Sequence, residues 1–414
     1  MTMTESSQAL NNSAKPLSGL TVLELGHFIA APHCTRLMAD LGASIIKVEA
    51  PEIGDPIRSW GMMKDANTLW WSVHGRGKQC ITLNLKSERG IAIAKALIEQ
   101  VDIVVENFRP GQLAKWGLSY ADMQRINSRI ILVHISGYGQ SGPYKDRVSF
   151  GSIGEAFGGI RHLTGYPKEV TDLPPVRTGV SLGDSLAGMF GVIGALSAVY
   201  QRDVAGTGVG REVDVALYES VFSLMEGALP EYGEFAAIRH PTGSAIPTAA
   251  PSNTYKCADG QWLAIGANGD KIFKRLCQII GKPELGESDL YDSNPKRVVN
   301  AAMLDNLIEN WTLTQESKVA EKLLLDNDIP AGRLLNIEDC AKDPHYQARN
   351  MVMQVADPRF GEVTHPGVVP KFDADDGSVS WPGPAVGAHN SKIYTELLAM
   401  DAATLAELEQ QGVI

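Results

Sequence analysis

The chain has 414 residues, 44% hydrophobic and 21% charged, with a formal net charge of −11. That balance gives a folded soluble protein large enough for about two or three domains. The acidic excess excludes nucleic acid and anionic membrane as partners, because nothing would offset phosphate repulsion, although a local basic spot still serves a nucleotide-like ligand.

The five cysteines (Cys34, Cys80, Cys257, Cys277, Cys340) are scattered and none has CxxC spacing, so neither a disulfide framework nor a zinc site is expected. His27 and His33, the closest histidines, match no metal motif. Residues 1–15 are rich in Ser, Asn and Thr and read as a disordered lead, not a signal peptide. The apolar stretch near 189–200 is too short to span a bilayer. A reduced, cytoplasmic setting is the expectation.

In chain order, 20–25 (LTVLEL) predicts a buried strand. Pro32 starts a helix to Asp40, Gly42 ends it, and 44–48 (SIIKV) forms the next strand. This βαβ unit opens a parallel α/β sheet that continues with a helix at 88–100 and strands at 103–105 and 130–135. The Gly- and Pro-rich segment 148–180 reads mainly as loops. A long apolar helix follows at 185–201, then a strand at 211–216 and a helix from Leu217. The pattern shifts over 230–329, with a strand near 262–265 and two helices, and an amphipathic helix closes the tail at 403–411.

The opening unit imitates a dinucleotide-binding fold but lacks its phosphate loop. Gly26-His27-Phe28-Ile29-Ala30-Ala31 puts bulky residues where GxGxxG needs glycines, and Gly206, Gly208 and Gly210 precede a strand. An NAD-dependent reductase is therefore the weaker alternative. Asp184 stands before the long helix and reads either as an N-cap or as a carboxylate held ionised by the helix dipole and usable as a nucleophile. Asn107, Phe108 and Arg109 follow a strand at the ligand-binding edge of the sheet, flanked by Lys86 and Lys115. Either lysine is a phosphate ligand or simply solvated.

Several ordered segments carry a family likeness: LMADLGA (37–43), IIKVEAP (45–51), GDPIR (54–58), ITLNLKS (81–87), VENFRPG (105–111), ISGYGQSGPY (135–144), GDSLAGM (183–189), DVALYES (214–220) and IPAGRLLNIED (329–339). The chain resembles the class III CoA-transferases, the formyl-CoA transferase and carnitine CoA-transferase family, over nearly its whole length after Lys15. The resemblance implies a Rossmann-like large domain from 16–229 and 330–414, a smaller α+β domain at 230–329, and an interlocked homodimer. Coenzyme A is then substrate and product, with no permanently bound cofactor and no metal; the partners are acyl-CoA and a carboxylic acid.

The family's nucleophilic aspartate falls on Asp184. Its CoA contacts fall on Ile29 and Ala30, on Leu83, Asn84, Leu85 and Lys86, on Asn107, Phe108 and Arg109, on Lys115, and on Val148, Ser149, Phe150 and Gly151. Position 115 is Lys where the formyl-CoA member has Arg, which keeps charge but loses the bidentate fork. Gly151 replaces a usual acid. The nearest candidate for the family's active-site lid is 266–269. A 2-methylacyl-CoA racemase on the same fold uses a His-Asp pair where this chain has Phe150 and Gly151, which offer no base.

The stretches GGIRHLTG (158–165), PPVRTGVSLGD (174–184) and APSNTYKCADG (250–260) look similar to members that use succinyl-CoA and short dicarboxylates such as malate or citramalate. Arg161 lies among apolar and glycine neighbours. It reads as a partner for the substrate's remote carboxylate, or as one end of an ion pair with Glu155 or Asp172.

Overall fold

The structure, a computed structural model, describes residues 15–373 and 377–414. The expected disordered lead lies outside these residues except for Lys15. The chain forms two compact units, one from residues up to Arg161, Arg177–Ala237 and His345–Ile414, the other from His162–Val176 and Ile238–Pro344. The second unit runs past residue 329 because Ala331–Arg333 supplies an edge strand of its sheet.

The first unit carries six parallel strands: β1 (Thr21–Glu24), β2 (Ser44–Glu49), β3 (Lys78–Thr82), β4 (Ile103–Glu106), β5 (Ile131–Ser136) and β6 (Glu212–Ala216). They lie in the order β3-β2-β1-β4-β5-β6. The four inner strands read as largely apolar runs because both faces are covered, whereas the edge strands β3 (KQCIT) and β6 (EVDVA) do not. One face packs Leu23, Ile46 and Val104 against Ile93 and Leu97 of α2 (Glu88–Glu99) and against Tyr394 and Leu408 from the tail. The other packs Val22, Ile45 and Ile103 against α1 (Ala30–Asp40) and α4 (Leu182–Val199). Chain order reverses direction between β1 and β4, and in such sheets the crevice beyond the strand ends at that point binds ligands.

Segment 148–180 is mainly loop, as its composition predicts, but it also holds α3 (Gly151–Phe157) and a short helix at Ile160–Leu163. Its glycines serve close packing instead of breaking helix. A Cβ at Gly154 would lie 2.7 Å from Leu217 Cβ, and one at Gly158 2.6 Å from Val221 Cβ, both on α5 (Leu217–Phe222). Tertiary contact thus overrides the poor intrinsic helix propensity of glycine. A sequence expectation is corrected at α4, which continues through a π-turn at Tyr200–Val204. Together they make 23 residues with an 18-residue window of mean hydropathy 1.5, long and apolar enough to cross a membrane by length and composition. In this fold α4 instead lies on α1, and Gly188 and Gly191 permit the approach. Added Cβ atoms would lie 3.0 Å from Ala30 O and 3.0 Å from Cys34 Sγ.

The second unit has an antiparallel sheet, β7 (Ser252–Lys256), β8 (Trp262–Gly266) and β9 (Ala331–Arg333), with β8 in the middle. Tyr255, Leu263, Leu276, Ile308 and Leu324 form its core. Between residues 266 and 329 it holds five helices among the described residues, where the pattern predicts two. The segment 266–269 is anchored within this unit. Ala267 N–H donates to Pro251 O at 2.8 Å, and Asn268 O accepts from Arg297 Nη2 at 2.6 Å.

Candidate active site

A cavity of about 510 Å³ opens at the chain reversal between β1 and β4. Its walls come from the turn after β1 (His27, Phe28, Ile29, Ala30), the turn after β4 (Asn107, Phe108, Arg109), the end of β5 (Ser136) and the segment 147–150, with Asp184 also on its lining. A second cavity of about 610 Å³ lies alongside, lined by Leu83, Asn84 and Leu85, by the loop after β2, and by Gly412. His27, Lys86, Phe108 and Trp116 border both.

The turn after β1 is fixed from two sides. His27 N–H donates to Asn107 Oδ1 (2.9 Å), and Asn107 Nδ2 donates back to His27 O (2.8 Å). Phe28 N–H donates to Asp55 Oδ1 (3.1 Å), and Phe28 itself sits at φ +63, a left-handed conformation uncommon for a bulky residue. Lys86, Arg109 and Arg147 stand exposed on the lining, and none has a carboxylate partner among the described residues. Arg147 lies over the Tyr144 ring, 3.4 Å from its centroid. Free cations at a cavity rim are available for phosphate, where charge-assisted bonds are strong.

Asp184 is not the helix cap. Helix α4 starts at Leu182 with Ser181 in the cap position, so Asp184 is its third residue and accepts no hydrogen bond among the described residues. Burial and the neighbouring Glu155 carboxylate push its carboxyl up to about 6, against the pull of Arg177. Glu155 is itself 1% exposed; its Oε1 accepts from Gly183 N–H at 3.3 Å and its Oε2 lies 3.5 Å from Arg177 Nε. Gly151 touches the same carboxylate: a Cβ there would fall 2.0 Å from Asp184 Oδ2. A part-buried carboxylate with no bonded partner keeps its lone pairs free for attack on a carbon centre.

The structure therefore brings together Asp184, Ile29, Ala30, Lys86, Asn107, Phe108, Arg109, Val148, Ser149 and Phe150 around one cavity, with Gly151 against Asp184. Leu83, Asn84 and Leu85 line the second cavity. Lys115 is exposed at the end of the Gln112–Lys115 helix and lines neither; the next residue, Trp116, lines both. Arg161 is also outside both linings, and the ion-pair partner of Glu155 is Arg177. Sequence reasoning missed His27, Trp116, Arg147, Glu155 and Arg177. The available signal was adjacency, since Trp116 follows Lys115 and Arg147 precedes Val148. No group of metal-binding side chains occurs among the described residues.

The open parallel sheet thus carries at its reversal point a crevice with an unbonded carboxylate inside and cations at the rim. Residues 17–390 match the model of CoA-transferase family III, and the chain belongs to that family. It is a CoA-transferase. It is 45% identical, over 97% of this chain and 98% of the other, to succinyl-CoA–D-citramalate CoA-transferase of Chloroflexus aurantiacus. It is 37% identical, over 96% and 98%, to the beta subunit of succinyl-CoA–L-malate CoA-transferase of the same organism. A solved CAIB/BAIF family protein from Brucella suis superposes with a TM-score of 0.81 at 31% identity, over 93% of this chain and all of that one.

Proposed function

We propose that the enzyme moves CoA from succinyl-CoA to a short dicarboxylate of the citramalate or malate kind, with Asp184 as covalent carrier. The observation that carries this reading is the unbonded Asp184 carboxylate on a cavity whose rim holds Lys86, Arg109 and Arg147. Asp184 attacks the donor thioester carbonyl, forming a mixed anhydride and expelling CoA thiolate. The thiolate then attacks the aspartyl carbonyl, releasing the donor acid and leaving an aspartyl-CoA thioester. The acceptor carboxylate displaces CoA as a second anhydride, and thiolate attack on the acceptor acyl carbon frees Asp184 and the new acyl-CoA. CoA must stay bound while its sulfur is free, and the cationic rim supports that retention.

In this reading the nucleotide end lies toward the second cavity, and Lys86 and Trp116 stand where the two meet. Phe150 and Gly151 supply no base, which disfavours the racemase alternative. Exposed Met189, Phe190 and Ile193 on α4 and Tyr232 and Phe235 on the helix Ala228–Phe235 support a homodimer that covers them. Purified protein given succinyl-CoA with citramalate or malate should yield the new CoA ester on chromatography. Hydroxylamine added during turnover should modify Asp184 alone, and no modification there would remove the covalent step.

Lys86→Ala is expected to raise KM for the CoA ester about tenfold with kcat nearly unchanged, as loss of one charge-assisted phosphate contact predicts. Unchanged kinetics in both parameters would make Lys86 a solvated residue.

Selection of a dicarboxylate falls better to Arg177 than to Arg161. Arg177 acts on Asp184 electrostatically, and its Nη2 donates only to Val180 O at 3.0 Å, leaving part of its fork free. Arg177→Met is expected to lower kcat/KM about tenfold more for succinyl-CoA than for butyryl-CoA, the scale of one hydrogen bond to a charged group. Arg161→Met should affect both donors alike. The reverse pattern would return the role to Arg161.

A further inference from the structure

Two of the sequence motifs, IIKVEAP and GDPIR, contribute no side chain to the proposed chemistry, yet their charged residues are buried together. Lys47 and Glu49 alternate along β2 onto one face. Lys47 Nζ lies 2.7 Å from Glu24 Oε1, 2.7 Å from Asp55 Oδ2 and 3.0 Å from Gly26 O. Glu24 also receives Lys78 Nζ at 2.8 Å and the Thr35 hydroxyl at 2.6 Å, so two cations and two anions neutralise one another. Glu49 holds the other end of the loop. Its Oε1 accepts from Asp55 N–H and Arg58 Nε (both 2.8 Å), and its Oε2 accepts from Arg58 Nη2 (2.7 Å).

Asp55 joins these pairs to the cavity. One carboxylate oxygen faces Lys47 as a charge partner, and the other accepts from Phe28 N–H (3.1 Å) and Ile57 N–H (2.9 Å). Phe28 is the left-handed residue of the turn after β1. Such a conformation is costly for a non-glycine residue and persists only where the surroundings enforce it. The Phe28 ring in turn meets the Phe150 ring edge-on, with centroids 6.5 Å apart, and Phe150 precedes the glycine that touches Asp184.

We propose that Asp55, held by Lys47 and by the Glu49–Arg58 pair, is a positioning residue that keeps the turn at 26–30 in register with Asp184. Its kinetic part rests on the reading of Asp184 as nucleophile; its structural part does not. Losing the acceptor for Phe28 N–H lets the turn relax to a negative φ, which moves the Phe28 ring and, through Phe150, the wall beside Asp184.

The test combines amide hydrogen exchange with steady-state kinetics on the full chain, as wild type, Asp55→Ala and Asp55→Asn. In wild type the Phe28 amide should exchange at least about a hundredfold more slowly than an unstructured amide. In Asp55→Ala it should speed up about tenfold or more while Val22 and Leu23 in β1 keep their protection. There kcat should fall about a hundredfold, the scale of a small misplacement at a reacting centre, with KM for succinyl-CoA moving less than about threefold. Asp55→Asn keeps an oxygen for Phe28 N–H and should recover most of both losses. An unprotected Phe28 amide in wild type overturns the proposal even if Asp55→Ala does not fold. So does equal loss in both variants with β1 exposed, or an unchanged kcat in Asp55→Ala. If wild type exchanges no CoA at all, the functional reading fails, while the Phe28 amide still decides the clamp.

Discussion

Asp184→Asn is expected to lose CoA exchange by at least about a thousandfold in kcat and at the same time to gain stability near neutral pH. Loss of activity follows because the serines on the lining, Ser136 and Ser149, bond only to backbone groups among the described residues and have no base to activate them. The gain follows from the shift of the Asp184 carboxyl from its ordinary 3.8 to about 6 by burial and Glu155. Folded protein then holds that proton more tightly than unfolded protein, so stability falls as pH rises from the unfolded value of 3.8 and the cost is complete above about 6. A shift of this size corresponds to about 2–3 kcal/mol. The cost fades as pH falls through the folded value and is gone below the unfolded one. Thermal melts of the two proteins should therefore separate at pH 8 and converge at pH 4. Retention of more than about a hundredth of wild-type turnover would remove Asp184 from the chemistry. Coincident melts at both pH values would mean that the carboxylate is better solvated than its burial indicates.

Gly151→Ala should be nearly as damaging, although it removes no functional group. The added carbon would fall 2.0 Å from Asp184 Oδ2 and 2.6 Å from its Cγ, distances at which one group must move. Helix α3 is held against α5 by Gly154 and Gly158, so the mobile Asp184 side chain turns away. A carboxylate displaced by about 1 Å costs on the order of a hundredfold in rate. The expected result is a kcat lower by about that factor, an unchanged circular dichroism spectrum, and KM for acyl-CoA within about threefold. Activity within about threefold of wild type would show that Asp184 needs no fixed direction.

Five of the six strands of the parallel sheet were legible as short runs bounded by turns, with observed ends within a residue or two of the pattern; the edge strand β3 was not, because Lys78, Gln79 and Thr82 break any apolar run. The packing glycines were not. Gly151, Gly154 and Gly158 look like loop residues in a sequence, and only the three-dimensional neighbour reveals that a side chain has no room. Among site residues, the segments at 83–86 and 107–109 were legible because the family likeness is local there. Glu155 and Arg177 were missed because their relation to Asp184 is purely spatial. Lys115 drew attention by its charge, whereas the neighbouring Trp116 faces the cavities. The Asp184 cap reading failed because helix α4 begins three residues earlier than its apolar pattern suggests.

The edge strand β3 is sealed by residues from the far end of the chain. Thr82 N–H donates to Asn390 Oδ1 across 308 residues, Tyr394 hydroxyl donates to Thr82 O, and Asn84 N–H donates to Val413 O. At about 5–20 residues per second, a chain leaving the ribosome exposes this edge for roughly 15–60 s before its cover is made, across the separation of 308 residues. During that time an unpaired strand edge is open to pairing with other nascent chains. Yield in a cell should thus depend on chaperones that shield the early chain more than on the stability of the finished fold.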